Sequence, residues 1–293
     1  MNHGELIRKL RLERGITQEQ LCHKITSRTA LTNLEKQNSR ISFEILLQYL
    51  SRMNIRLDEY YLMYTDHESR EKRSISLALP HIYASGDTAI QKDLEKYKEK
   101  YNETKDLFFY FVYIQLSILK MKKNGDFNSS YLSNEIEFLK GYLDRVETWG
   151  RFEIALFSNS LFLFPDDFIE EIFDRVISKL LRLQDEPIFS KDLTLFLINC
   201  LSLSFERNNI EFIRVVLPYL LKQCKSEKEL YEKTMYLFFL GLLDCTAGNA
   251  QGKEKMDRAL LIFRSLDETA KARSLEQFVE RVMRDNGYTI KQA

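Results

Sequence analysis

Four apolar, Phe-rich segments open near Asp106, Trp149, Asp192 and Tyr231, a spacing of roughly 40 residues. Each is followed by a more charged amphipathic segment. The breaks fall on turn-forming residues: Asn124-Gly125-Asp126, Pro165-Asp166-Asp167, Glu186-Pro187, Asn208-Asn209 and Gly248-Asn249. A period of this length accommodates two helices and a turn. One such pair cannot bury its own apolar face, whereas a stack of pairs can, so the recurrence restricts this part of the chain to helix pairs packed in series. Composition agrees, since 293 residues contain only 10 Gly and 4 Pro to interrupt helices.

Candidate helices cover Ser69–Ala84, Thr88–Lys100, Leu107–Lys122, Tyr131–Val146, Trp149–Phe164, Phe168–Leu183, Leu193–Glu206, Ile210–Cys224, Leu230–Ala247, Gly252–Leu266 and Glu268–Met283. The expected architecture of residues 66–293 is a right-handed, tetratricopeptide-like α-solenoid, with the first helix of each pair lining the concave face. Gln115, Arg151, Asn159, Asn199 and Tyr236 interrupt those apolar first helices. Asn159 and Asn199 stand at similar places in successive repeats. A carboxamide offers an acceptor and two donors, which match the backbone of an extended peptide. Phe111, Phe152, Phe196 and Phe239 would supply pockets for its apolar side chains. The alternative is that the two asparagines bond neighbouring helices within the stack and the aromatics are core.

Residues 1–65 have a different rhythm. Helices are expected at Gly4–Glu13, from Thr17 onward, at Arg28–Lys36, from Ser42 to Met53 and near Leu57–Tyr64. Thr17 and Gln20 form a capping box, and Ser27 and Ser42 are further N-caps. Leu6, Ile7, Leu10, Leu21, Ile25, Leu31 and Leu34 point inward, as do Phe43, Leu46, Leu47 and Leu50 in the fourth helix. The outer face of the third helix carries Arg28, Thr29, Thr32, Asn33 and Lys36, the side chains needed by a helix that enters a DNA major groove. Over the whole chain 43 basic residues balance 43 acidic ones. Between residues 24 and 40, however, Lys24, Arg28, Lys36 and Arg40 face a single anion, Glu35. A local basic patch suffices to hold phosphates.

This segment resembles the Xre/Cro-type helix-turn-helix family. The matching residues are Leu10 through Leu21, Ser27, Leu31, Leu34-Glu35, and Ser42 through Leu50. The resemblance implies that Gln18 donates to a DNA phosphate, that Arg28, Thr29, Thr32 and Asn33 face base edges, and that Arg11 and Glu35 form an internal ion pair. The candidate DNA-binding set is thus Gln18, Ser27, Arg28, Thr29, Thr32, Asn33 and Lys36. One departure stands out: the turn where the family usually carries Gly is filled by Lys24-Ile25-Thr26.

The full chain resembles the Rgg/GadR/MutR regulators of Gram-positive bacteria. The resemblance is carried by Leu21–Glu35, by Ile41-Ser42-Phe43 through Glu59-Tyr60, and by the run from Trp149 to Asn159. It implies a homodimer on double-stranded promoter DNA, controlled in many members by a short hydrophobic peptide; a cytoplasmic location is expected from the polar and basic residues, without an apolar core, that follow Met1. Phe238, Leu242 and Leu243 are the residues expected to provide apolar dimer surface. The alternatives are a helical-repeat adaptor that recruits protein instead of DNA, and a regulator answering to a metabolite or to oxidation of Cys22. Enzyme chemistry is not expected: His3, His23, His67 and His81 are scattered, and no nucleophile motif or phosphate-binding Gly loop exists. Cys22, Cys200, Cys224 and Cys245 form no CxxC pair, so neither a metal nor a cofactor is expected. The Phe-rich run Leu107–Leu119 is too short to span a bilayer, and no membrane partner is expected.

Overall fold

The computed structural model describes residues 2–64, 71–72, 74–75, 87–124, 132–182 and 187–288. Every described regular element is helical. The chain divides into two compact units, residues 1–90 and 91–293.

The first unit holds α1 (His3–Glu13), α2 (Gln18–Cys22), α3 (Arg28–Gln37), α4 (Phe43–Arg52) and α5 (Leu57–Tyr64). Asn2, Thr17, Ser27 and Ser42 cap the first four, each accepting a backbone N–H three residues on. Five residues are too few for a stable helix alone. The C-terminal end of α2 is held from outside, because Arg52 Nη1 donates to the carbonyls of Gln20, Leu21 and His23 at 3.1, 3.0 and 2.5 Å. Leu6, Ile7, Leu10, Leu21, Leu31, Leu34 and Leu50 form the core, as expected, together with Tyr49, Met53, Ile55 and Tyr60. Phe43 and Leu47 differ from expectation and are 56% and 38% exposed. The buried face of α4 runs through Leu46, Tyr49, Leu50 and Met53 instead. Tyr49 can take that place because its hydroxyl is paired with the hydroxyl of Thr26.

The second unit contains α6 (Asp87–Thr104, from Gln91 onward), α7 (Leu107–Asn124), α8 (Ser133–Arg145), α9 (Arg151–Ser160), α10 (Asp166–Arg182), α11 (Pro187–Glu206), α12 (Ile210–Lys222), α13 (Leu230–Thr246), α14 (Gln251–Ser265) and α15 (Thr269–Asp285). A 3₁₀ turn, Leu161–Leu163, extends α9. The first helices pack against one another in the order α7, α9, α11, α13, and α7, α11 and α13 each pack against their own second helix. The helix expected at Leu193 begins earlier, with Pro187 as its first residue, where a missing N–H leaves no helical bond unmade. The helix expected at Ser69–Ala84 lies largely outside the described residues.

The pairs are joined by specific contacts. Arg207, beyond α11, donates to the carbonyls of Phe162 and Phe164 and to Asp166 Oδ1 at 3.0, 2.8 and 2.6 Å. Between α13 and α14 the backbones touch: a Cβ on Gly252 would lie 2.5 Å from the Gly241 carbonyl oxygen and 2.6 Å from the Cys245 nitrogen. The last helix, α15, contacts α11 as well as α14. Arg281 pairs with Glu206 at 3.0 Å, and Asn286 Nδ2 donates to the Phe205 carbonyl at 3.1 Å.

The core corrects two sets of sequence expectations. Phe111, Phe196 and Phe239 are at most 1% exposed and belong to the continuous core, so they line no open pocket. Phe238 and Leu242 are fully buried within one chain, and Leu243 packs partly buried against them, so none is an open apolar surface. No described helix is long and apolar enough to cross a membrane.

Candidate nucleic-acid interface and repeat surface

The first unit's outer face is built on α3. Leu31 and Leu34 face the core, and the helical period then turns Arg28, Thr29, Asn33 and Lys36 outward, where all four are exposed. Ser27 is exposed and its oxygen is committed to the cap, accepting from Ala30 N at 3.1 Å. Thr32 is half-buried. Its hydroxyl lies 2.9 Å from the Arg28 carbonyl and 3.3 Å from Gln18 Oε1, and its single hydrogen serves one of them at a time.

Beneath this face lies the ion pair implied by the family resemblance. Arg11 Nε and Nη2 donate to Glu35 Oε1 and Oε2 at 2.6 and 2.8 Å, and Nη1 donates to the Ile16 carbonyl at 2.8 Å. Both side chains are buried. Burial by itself would raise the pKa of Glu35. The hydrogen bonds from Arg11 and Gln18 and the charges of Arg11 and Arg8 outweigh it and leave the carboxyl below its usual range. Gln18 Nε2 reaches Glu35 Oε2 at 2.9 Å. The side chain assigned to a phosphate is therefore also part of an internal network, with one amide hydrogen left over. Sequence reasoning missed this link because Gln18 and Glu35 are brought together only by the crossing of α2 and α3.

The glycine-free turn has a plain solution. Lys24 adopts φ 58°, the left-handed conformation for which glycine is favoured. A side chain there costs on the order of 1–2 kcal/mol, offset in part by the lower chain entropy of a non-glycine residue. Lys24→Gly is thus expected to stabilise the first unit by about 0.5–1 kcal/mol. Its urea midpoint should rise, and an unchanged or lower midpoint would contradict the strain.

In the second unit the polar residues of the first helices do not share one environment. Arg151 on α9 holds Asp192 of α11 with two bonds, 2.5 and 2.9 Å. Asn199 Nδ2 donates to the Ser158 carbonyl at 3.5 Å, so one of its amide hydrogens is used within the stack. Asn159 and Leu195 are exposed. Arg151, Asn159 and Asn199 therefore lie along the neighbouring helices α9 and α11. Thr194 donates to Glu232 at 3.3 Å, extending the same line of contacts to α13. Tyr236 is half-buried on α13, and burial raises its pKa, with Cys224, Lys255 and Asp244 the nearby charged or ionisable groups. Gln115 is only 7% exposed and sits inside the helix stack, not on its surface. Cys22 is 5% exposed in the first unit's core.

Comparison with known proteins agrees with this architecture. The model of the C-terminal domain of the HTH-type transcriptional regulator Rgg matches residues 91–277. A helix-turn-helix model matches residues 7–60. The SHP pheromone receptor Rgg2 of Streptococcus dysgalactiae is 23% identical, with 95% of this chain and 99% of that one covered and a TM-score of 0.74. A protein of Listeria monocytogenes EGD-e is 19% identical with 98% of both chains covered and a TM-score of 0.80. PrgX in its complex with iCF10 is 15% identical, covers 98% of this chain and 97% of its own, and has a TM-score of 0.72. The match over 91–277 takes in more than half of the sequence, and the chain belongs to the Rgg family of helix-turn-helix transcriptional regulators.

Proposed function

We propose that this Rgg-family protein acts in the cytoplasm as a homodimer that binds promoter DNA through α3 and is controlled by a short hydrophobic peptide. In this reading residues 1–65 bind DNA and residues 66–293 bind the ligand and dimerise. The observation that carries it is the face of α3, where Arg28, Thr29, Asn33 and Lys36 are exposed together above a buried ion pair. Two such helices would read half-sites about one helical turn apart, roughly 34–36 Å. Duplexes selected by the wild-type protein from a random pool test this directly. Arg28→Ala or Asn33→Ala should relax base preference at one position of each half-site, at roughly 1–3 kcal/mol of discrimination per lost bidentate contact. Affinity should fall steeply with salt. Unaltered base preference in both variants would remove α3 from the groove, and weak salt dependence would favour a protein partner.

The peptide part of the proposal rests on the exposed faces of α9 and α11. Asn159 and the uncommitted edge of Asn199 offer amide groups, and Leu195 is exposed one helical turn before Asn199, which suits an extended apolar chain. That Rgg2 is a pheromone receptor and that PrgX forms a complex with iCF10 support the same reading. A peptide shifts the conformational equilibrium only by its difference in affinity for the two states. Asn159→Ala is expected to abolish the change in DNA binding produced by the small-peptide fraction of the source's spent medium, with DNA affinity in its absence unaltered. An intact response in this variant would remove Asn159 from the site.

A further inference from the structure

The side chains of Arg11, Glu35 and Gln18 form a hydrogen-bonded chain that leads from the core toward the outer face of α3, where the Thr32 hydroxyl meets its end and shares its one hydrogen with the Arg28 carbonyl. Its geometry constrains one group in particular. A carboxamide can be turned over about its terminal bond, exchanging oxygen and nitrogen at little steric cost. Glu35 removes that freedom for Gln18. An ionised carboxylate only accepts, and Glu35 Oε2 lies 2.9 Å from the Gln18 terminal group, so nitrogen must face it. The flipped amide would set its oxygen against a carboxylate oxygen. At the other end Thr32 Oγ1 meets Gln18 Oε1 at 3.3 Å, which suits a hydroxyl donor and the same orientation.

We propose that Glu35 is a positioning residue for DNA binding: held by Arg11, it fixes the Gln18 carboxamide so that the second Nε2 hydrogen is directed outward to a DNA phosphate. This rests on the reading of the first unit as the DNA-binding unit. The carboxylate touches no DNA and acts through Gln18. Two N–H bonds to anions then share one nitrogen, one inside the protein and one at the interface. The interface bond forms without the cost of orienting a rotatable amide, which is the general advantage of preorganisation. The ion pair thus has a second role besides joining α1 to α3.

A double-mutant cycle on the full-length protein separates this from a purely structural role. The probe is the duplex selected by the wild-type protein, at fixed salt, with affinities corrected for the folded fraction of each variant. Gln18→Met keeps the length of the side chain and loses the amide; affinity should fall about tenfold, as for loss of a bond to a charged group. Glu35→Gln has one acceptor oxygen in place of two, so with that oxygen turned to Arg11 its amide N–H faces Gln18 and invites the flipped amide; it should weaken binding several-fold in the wild-type background. In the Gln18→Met background it should have no further effect. Equal losses in both backgrounds, or no loss in either, overturn the proposal. If Glu35→Gln does not fold, Thr32→Val carries the same test from the other end of the amide, leaving the ion pair untouched. Its loss should likewise vanish with Met at position 18, and persistence would mean that Thr32 acts on DNA by itself. Failure of the wild-type protein to select any duplex would instead remove the DNA-binding reading. A normal wild-type selection with an inert Gln18→Met removes only the positioning role.

Discussion

Arg11→Leu is expected to destabilise the first unit by roughly 3–5 kcal/mol, because it strands a carboxylate in the core. Glu35 is 5% exposed and loses both of its guanidinium bonds in this variant, keeping only Gln18. A loss of that size is a large part of the stability of any small domain. The second unit has its own core and should remain folded. Amide exchange resolved along the chain reads this directly, with protection lost in α1–α5 and kept in α9–α15. The pH dependence should also change sign. In the wild-type protein the Glu35 pKa is lowered on folding. Its contribution is complete above the unfolded carboxyl range and is lost as the pH falls through the folded value. Without Arg11, burial dominates and raises that pKa. The variant is then most stable in mild acid and loses stability as the pH rises through the carboxyl range. A variant as stable as wild type at neutral pH would mean that the pair contributes nothing.

Gly252→Ala is the second substitution with a large expected effect. Its added methyl group would lie 2.5 Å from the Gly241 oxygen, 2.6 Å from the Cys245 nitrogen and 2.7 Å from the Cys245 sulfur. Two of these are main-chain atoms, so no rotamer change relieves the clash, and α13 and α14 must move apart along a fully packed seam. Overpacking of this kind costs roughly 1–3 kcal/mol, occasionally more. Gly141, inside α8, is the internal control, since a Cβ there meets nothing within 4 Å. Gly141→Ala should stabilise by about 0.5–1 kcal/mol through helix propensity. Urea unfolding followed by far-ultraviolet circular dichroism should move the two midpoints in opposite directions. A Gly252→Ala midpoint equal to wild type would show that the seam can open without cost.

Much of this architecture is legible in the sequence because helices announce themselves locally. The caps at Thr17, Ser27 and Ser42 and the turn residues at 165–167 and 208–209 act within a few residues and mark element ends. The exposed and buried faces of α3 follow from its period alone. Contacts between elements are less accessible. Phe43 and Leu47 read as core by hydrophobicity, yet the burial of Tyr49 depends on a hydroxyl partner, Thr26, 23 positions away in sequence. The five first-helix polar residues looked equivalent along the chain. Packing buries Gln115, pairs Arg151 with Asp192 and leaves Asn159 exposed. Periodicity shows that a residue interrupts an apolar face, but not which neighbour occupies the space opposite it.

The seams of the second unit differ in construction. Where α13 meets α14 the main chains themselves are in contact, and such a joint has almost no travel. Where α9 meets α11 the polar links are side-chain bonds, Arg151 to the Asp192 carboxylate and the Asn199 amide to the Ser158 carbonyl, beside the ring contact of Phe157 with Phe196. The C-terminal end of the stack, closed by the joint of α13 with α14 and clasped by α15, is a stiff block. A load applied along the stack therefore finds its fixed end there, where the helices have the least room to slide.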